Sequence, residues 1–202
     1  MIKDFISYDN IRNNGFKLAQ QIIGDKFIPN VIYVSLRGGA YLGNVISEYF
    51  KVAFRGKQPI LYAAVVVRFY SNVQVQDKIS IDGWTLPPEN LRKGTKILLV
   101  DDIFDSGITI NYLVDTLIEK GIPRKDIKIA VHDYKIFHYK KPEPIQPDYW
   151  CRKHDIHSEA DDLWIHYMSH ELMGLSEEEL EKHYYAKNPE LRDVFKPLQG
   201  LF

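Results

Sequence analysis

A chain of 202 residues with 26 Lys and Arg against 27 Asp and Glu has a formal net charge of −1, which argues against nucleic acid or an acidic membrane surface as a broad partner. Hydrophobic residues make up 45%, enough for a real core, and the single cysteine, Cys151, excludes an internal disulfide and a cysteine-based metal cluster. No apolar run reaches membrane-spanning length and Met1-Ile2-Lys3-Asp4 does not open as a secretory signal, so the expected setting is the cytoplasm, with no membrane contact.

Residues 9–24 place Ile11, Gly15, Leu18 and Ile22 on one face, with Phe16, Ala19 and Ile23 beside it, which predicts an amphipathic helix capped by Asp9. Residues 31–35 read as a short strand, and Arg37-Gly38-Gly39 turns the chain into a helix near 41–50. The β-branched, apolar run 60–68 predicts a buried strand. Residues 70–95 carry Asp82-Gly83 and Pro87-Pro88 without a sustained period, so a long exposed excursion, of the kind that is functional or mobile, is expected over them. A strand over 96–101, a helix from 107 ending at Gly121 and a strand over 127–131 follow. Strands alternating with helices predict a parallel, twisted sheet flanked by helices on both faces, an α/β fold.

Composition shifts after His132: Pro142, Pro144 and Pro147 break regular structure, and tryptophans and histidines become frequent. A small separate subdomain is expected there. Ser176-Glu177-Glu178-Glu179 is a capping box that opens a helix to about Tyr185, and a second short helix near 189–195 stops at Pro197. The organisation expected is a core over 1–140, a hood over 141–175 and a helical tail over 176–202.

The most informative stretch is Lys96-Ile97-Leu98-Leu99-Val100-Asp101-Asp102-Ile103-Phe104-Asp105-Ser106-Gly107-Ile108-Thr109. An apolar strand ends in adjacent carboxylates, and a third acid, a hydroxyl, a glycine and a second hydroxyl lead into a helix. Unpaired backbone N–H groups and the positive end of the helix dipole converge at such a junction, so a phosphate binds readily. The acid pair repels phosphate; it suits ribose hydroxyls, or a metal ion standing between acid and phosphate. Ser35-Leu36-Arg37-Gly38-Gly39 also links a strand to a helix and repeats the same physics, with Arg37 adding charge. A ligand carrying phosphate and sugar, with a metal ion, is implied. A Walker loop and a dinucleotide fingerprint are excluded, since neither motif occurs here.

Over Val100–Thr109 the chain resembles the type I phosphoribosyltransferases, whose hallmark is an apolar strand, two acids, two apolar residues, Asp, Ser or Thr, Gly, any residue and Thr. The resemblance extends over about residues 30–172 and implies the type I phosphoribosyltransferase fold with a C-terminal hood. It also implies Mg2+-dependent transfer of a phosphoribosyl group from phosphoribosyl pyrophosphate to a purine base in purine salvage, giving a nucleoside 5′-monophosphate and pyrophosphate. Asp101 and Asp102 would take the ribose hydroxyls and, with Glu171, the metal. Asp105, Ser106, Gly107, Ile108 and Thr109 would hold the 5′-phosphate, and Asp105 would act as general base. Leu36, Arg37 and Gly38 would grip pyrophosphate, and Tyr70 would open a closing lid, although Arg68-Phe69-Tyr70 stands where Ser-x-Tyr is more usual. A homodimer or higher homo-oligomer is expected.

The base would be chosen by the C-terminal region. Pro147-Asp148-Tyr149 resembles the Pro-Asp-Tyr/Phe of 6-oxopurine enzymes, in which a lysine from the preceding strand end donates to the exocyclic oxygen. Lys135 matches it best, with Lys140 and Lys141 as competitors. Asp162-Leu163-Trp164-Ile165 resembles the Trp-Ile of xanthine and guanine enzymes, so Trp164 would stack on the purine and Ile165 would offer backbone groups to its edge. His166-Tyr167-Met168-Ser169-His170-Glu171 departs from the usual Pro-Trp-acid continuation: either Glu171 replaces the acid one residue late, or His170 takes its place. A 6-oxopurine acceptor is favoured; the alternatives are an adenine enzyme and a phosphoribosyl-pyrophosphate-sensing regulator without catalysis.

Overall fold

The computed structural model describes residues 2–72, 75–198 and 200, with side chains described outside 69–78. By its contacts the chain divides into two units, Asp9–Asp162 and Met1–Tyr8 with Leu163–Phe202.

The larger unit is built on a six-stranded sheet in the order β4-β3-β2-β5-β6-β7. The strands are β2 (Val31–Leu36), β3 (Leu61–Asn72), β4 (Val75–Trp84), β5 (Ile97–Phe104), β6 (Ile127–Phe137) and β7 (Tyr149–Ile156). All neighbours run parallel except β3 and β4. Parallel strands covered on both faces become continuous apolar runs, which is how Val31–Val34 and Ile97–Val100 read. Tyr33, Leu99 and Ile129 pack on one face against Leu113, Val114 and Leu117 of α3 (Ile108–Glu119). On the other face Val34 lies under α2 (Ala40–Ala53), so close that a Cβ at Gly43 would stand 2.0 Å from its Cγ1. Helix α1 (Tyr8–Gly24) approaches α2 through Gly15, where a Cβ would come within 2.9 Å of Val45.

The expected excursion over 70–95 is instead mostly strand. β3 continues to Asn72 and β4 returns antiparallel to it, with Val65 opposite Trp84 and Phe69 opposite Ile79. Alternation at Val75, Ile79 and Ile81, the mark of a strand with one face toward a core, is the signal that points to it, and Ile81 and Trp84 do pack on the main core. Beyond β4, Thr85 returns its N–H to Ala64 O at 2.9 Å, and Tyr33 Oη donates to Leu86 O at 2.6 Å. Residues 73 and 74 lie outside the described residues.

The sheet also runs past the expected boundary at 140. β6 extends six residues beyond Val131, because its polar residues are buried and satisfied by one another. His132 Nδ1 meets Asp133 Oδ2 at 2.5 Å, His154 Nε2 meets Asp133 Oδ1 at 2.7 Å, and Asn14 Nδ2 meets His132 Nε2 at 3.1 Å. β7, which its charged sequence conceals, then adds to β6 with Lys135 opposite His154. In the smaller unit β1 (Lys3–Ile6) pairs parallel with β8 (Trp164–Tyr167). Leu175, Leu180, Tyr184 and Tyr185 form its core. The capping box at Ser176 opens α4 (Glu177–Leu180) as expected, and Leu191–Phe195 forms α5. Among the described residues no helix is long and apolar enough to cross a membrane.

Candidate active site

Neighbouring strands β2 and β5 send the chain in opposite directions along the sheet, β2 through α2 to β3 and β5 through α3 to β6. Their carboxyl ends therefore border a crevice at a topological switch point, where open α/β sheets bind ligands. Both loops at this crevice lead directly into helix N-termini.

The loop after β2 is Arg37-Gly38-Gly39, and its Leu36–Arg37 peptide is cis. Gly39 N–H bonds Ser35 O at 2.9 Å. A Cβ at Gly39 would lie 2.5 Å from Val100 O, and one at Gly38 within 2.4 Å of the Asp102 carboxylate. Gly39 is thus pressed on the β5 backbone and Gly38 on the Asp102 side chain, close approaches that only glycine permits. Arg37 is exposed and makes no ion pair among the described residues.

Asp101 and Asp102 close β5. Asp102 N–H donates to Asp101 Oδ1 at 3.0 Å, and Ile103 N–H to Asp102 Oδ1 at 2.9 Å. Burial pushes the Asp101 carboxyl well above the usual range, and the adjacent Asp102 charge adds to it; the Ser35 hydroxyl opposes the shift. Gly107 starts α3 at φ 82°, and a Cβ there would meet the Phe104 ring at 2.4 Å. Asp105 and Ser106 are exposed and Thr109 is half-buried, so the helix N-terminus opens to solvent. Asn111, which no motif in the sequence marks, fixes this terminus. Its Nδ2 donates to Gly107 O at 3.0 Å and Ile145 O at 2.9 Å, and its Oδ1 accepts from Ile145 N–H at 3.0 Å.

Lys135 lies near the end of β6, only 6% exposed, with its Nζ 2.7 Å from Asp162 Oδ1 and 3.5 Å from Asp105 Oδ1. A cavity of about 890 Å³ opens there, lined among others by Phe104, Asp105, Tyr134, Lys135, Phe137 and Asp162. Lys140 and Lys141 also line it, and the Lys140 ammonium stands 4.8 Å from the Phe137 ring centre. Lys135 and Asp105, predicted from separate motifs, are thus brought together, and Asp162 joins them from a stretch read only for its tryptophan. Asp148 serves the sheet instead, tying β6 to the start of β7: its Oδ2 accepts from Ile129 N–H at 2.9 Å and its Oδ1 pairs with Lys128 at 2.6 Å. Burial, with Asp133 nearby, pushes the Cys151 thiol up to about 12, so it is not a nucleophile. The Tyr70 backbone lies in β3 opposite Lys78; its side chain is outside the described residues.

Trp164, Ile165 and Glu171 belong to the smaller unit. Ile165 is buried, whereas the Trp164 indole is half-exposed and donates from Nε1 to Glu171 Oε2 at 3.1 Å. Glu171 Oε2 also lies 3.4 Å from Nδ1 of the buried His166, whose Nε2 meets Tyr184 Oη at 3.1 Å. Burial lowers the His166 pKa, and burial with Glu171 nearby raises Tyr184 to about 12. No group of three or more His, Cys, Asp or Glu that could hold a metal occurs among the described residues.

A model of the phosphoribosyl transferase domain matches residues 7–160. A bifunctional protein PyrR of Microcystis aeruginosa is 27% identical over 154 residues, covering 74% of this chain and 82% of that protein. A purine phosphoribosyltransferase structure from Pyrococcus horikoshii superposes with a TM-score of 0.64 at 22% identity, covering 88% of this chain and 99% of the other. A hypothetical protein of Neisseria gonorrhoeae with bound ppGpp superposes with a TM-score of 0.60, also at 22% identity, over 85% of this chain and 91% of its own.

Proposed function

Because the chain belongs to the phosphoribosyl transferase family, we propose that it transfers the 5-phosphoribosyl group of phosphoribosyl pyrophosphate to a purine base, with a 6-oxopurine as preferred acceptor. The observation that carries this reading is the pair of abutting loops at the switch point, each ending at a helix N-terminus, with Asp101 and Asp102 between them. Two anion sites with an acidic pair between them match a ligand with phosphate at one end, ribose in the middle and pyrophosphate at the other.

In this reading residues 105–109 hold the 5′-phosphate, and Leu36, Arg37 and Gly38 hold pyrophosphate. The attacking base nitrogen forms a bond to the anomeric carbon as the bond from that carbon to pyrophosphate breaks, and positive charge develops on the sugar. The chain contributes positioning and charge rather than a covalent nucleophile. Asp105, exposed at the mouth of the cavity, takes the proton the base nitrogen loses. Mg2+ is bound by one or two carboxylates together with substrate phosphates rather than by a protein cage, and the donors here fit that pattern: a carboxylate pair beside two anion sites. Asp101 and Asp102 would hold it, and it would supply charge neutralisation to the departing pyrophosphate. Lys135 offers only donors, so it suits an exocyclic oxygen and faces the amino group of adenine donor to donor. Trp164 and Ile165 keep the stacking and edge-reading roles that the family resemblance gives them.

The Pyrococcus purine enzyme and the guanine nucleotide held by the Neisseria protein support a purine acceptor. That same bound nucleotide favours a second reading, a sensor that binds such ligands without turnover. Incubation with phosphoribosyl pyrophosphate, Mg2+ and hypoxanthine, guanine, xanthine or adenine in separate reactions separates the two. Pyrophosphate release with an oxopurine is expected; tight binding without release in any reaction supports the sensor.

The ribose assignment has its own test. A hydrogen bond to a charged group contributes about 1.5–3 kcal/mol, so Asp102→Ala is expected to weaken phosphoribosyl pyrophosphate binding by about 10- to 150-fold in a calorimetric titration. Unchanged affinity in a folded variant removes Asp102 from the site.

A further inference from the structure

Lys135 is held in a way the phosphoribosyl chemistry does not require. An ammonium has three N–H donors. Here one is directed at Asp162 Oδ1 at 2.7 Å and a second faces Asp105 Oδ1 at 3.5 Å, which leaves the third for a ligand. Asp162 is itself fixed, since it ends the turn Glu159–Asp161 that a 2.8 Å hydrogen bond from the Ser158 hydroxyl to Asp161 closes. Its side chain is 29% exposed and lines the same cavity. The cavity therefore presents a cationic donor and an anionic acceptor side by side, each held by a different element.

That pair is complementary to one edge of a purine. A 6-oxopurine carries an acceptor, O6, next to a donor, N1–H, and guanine adds a second donor at N2. Adenine reverses the order, with an amino donor at C6 and an acceptor at N1. We propose that Asp162 is a specificity-determining residue, its carboxylate accepting from N1–H of a 6-oxopurine while Lys135 donates to O6. Adenine in the same pose sets donor against donor at Lys135 and acceptor against acceptor at Asp162. Two mismatches reject a base more strongly than one, because each sets like hydrogen-bonding groups against each other and forfeits a bond that the 6-oxopurine makes. The inference deepens the proposed function and rests on it.

Asp162→Asn keeps the shape and an acceptor oxygen for Lys135, so it preserves the ammonium's position while removing the anionic acceptor. The ratio of kcat/KM for hypoxanthine to that for adenine is expected to fall at least tenfold, with KM for phosphoribosyl pyrophosphate and the melting temperature unchanged. Asp162→Ala should lower the ratio in the same direction. An unchanged ratio in the Asn variant, or an equal loss toward both bases, overturns the assignment and leaves Asp162 as a mere anchor for Lys135. Should the unaltered protein turn over no purine, the proposed function fails by itself. Calorimetric titration with hypoxanthine and adenine then decides the role of Asp162: the unaltered protein must prefer hypoxanthine and the Asn variant must lose that preference, or the inference falls.

Discussion

Asp105→Asn is expected to bind phosphoribosyl pyrophosphate normally and to lose about 10²–10⁴-fold in kcat, the usual contribution of a positioned general base. Among the three acids here, Asp105 alone is exposed, just beyond the carboxyl end of β5: its side chain is 54% exposed and 3.5 Å from Lys135, whereas Asp102 is half-buried and Asp101 buried. Asparagine keeps the size and the acceptor oxygen but cannot take a proton. Binding and rate should therefore separate, with an unchanged dissociation constant by titration and a depressed steady-state rate. The residual rate comes from ligand positioning and from the charge around the leaving group, which the substitution does not touch. A rate close to normal would move the base to another group.

Gly39→Ala is expected to damage the phosphoribosyl site from beneath. Its Cβ would lie 2.5 Å from Val100 O, 2.9 Å from Asp101 Cα and 3.0 Å from Ser35 O. All three neighbours are backbone, so no rotamer change relieves the contact, and β2 and β5 must part where the acidic pair begins. Overpacking of this kind costs about 1–3 kcal/mol, and each kcal/mol lowers the melting temperature of a chain this size by about 2–4 °C. Thermal unfolding should therefore shift down by about 2–12 °C, with phosphoribosyl pyrophosphate affinity reduced at least tenfold. Gly24→Ala is the control: a Cβ there meets nothing within 4 Å, so affinity should stay unchanged and the melting temperature should not fall. Equal behaviour of the two variants would mean that the loops can separate without loss.

The part of the site that could be read from sequence is the part encoded locally. Strand, loop and helix N-terminus follow one another within Lys96–Thr109, and the physics of anion binding at such a junction needs nothing from elsewhere in the chain. The loop after β2 was legible for the same reason. Its contact with Asp102 was not, since it depends on β2 and β5 being neighbours in the sheet. Lys135 and Asp162 stand 27 residues apart, and no period or spacing links them. β7 escaped because its sequence, Tyr149-Trp150-Cys151-Arg152-Lys153-His154-Asp155-Ile156, is mostly charged and polar; it becomes a strand because Asp133 on β6 supplies partners for Arg152 and His154. β4 did alternate visibly, and the turn residues around it hid the pattern.

The pairing of β1 with β8 has a consequence for how the chain is made. Lys3–Ile6 leave the ribosome well before their hydrogen-bonding partners, Trp164–Tyr167, are synthesised. The sheet spanning β2 to β7 needs no residue beyond Ile156, so it is complete as a hydrogen-bonded ladder before β8 emerges. Until then β1 is an unpaired edge, the kind of segment that invites association between nascent chains. A stop codon just after Asp162 would leave that edge open for good, making residues 163–202 as much a guard against aggregation as a carrier of Trp164.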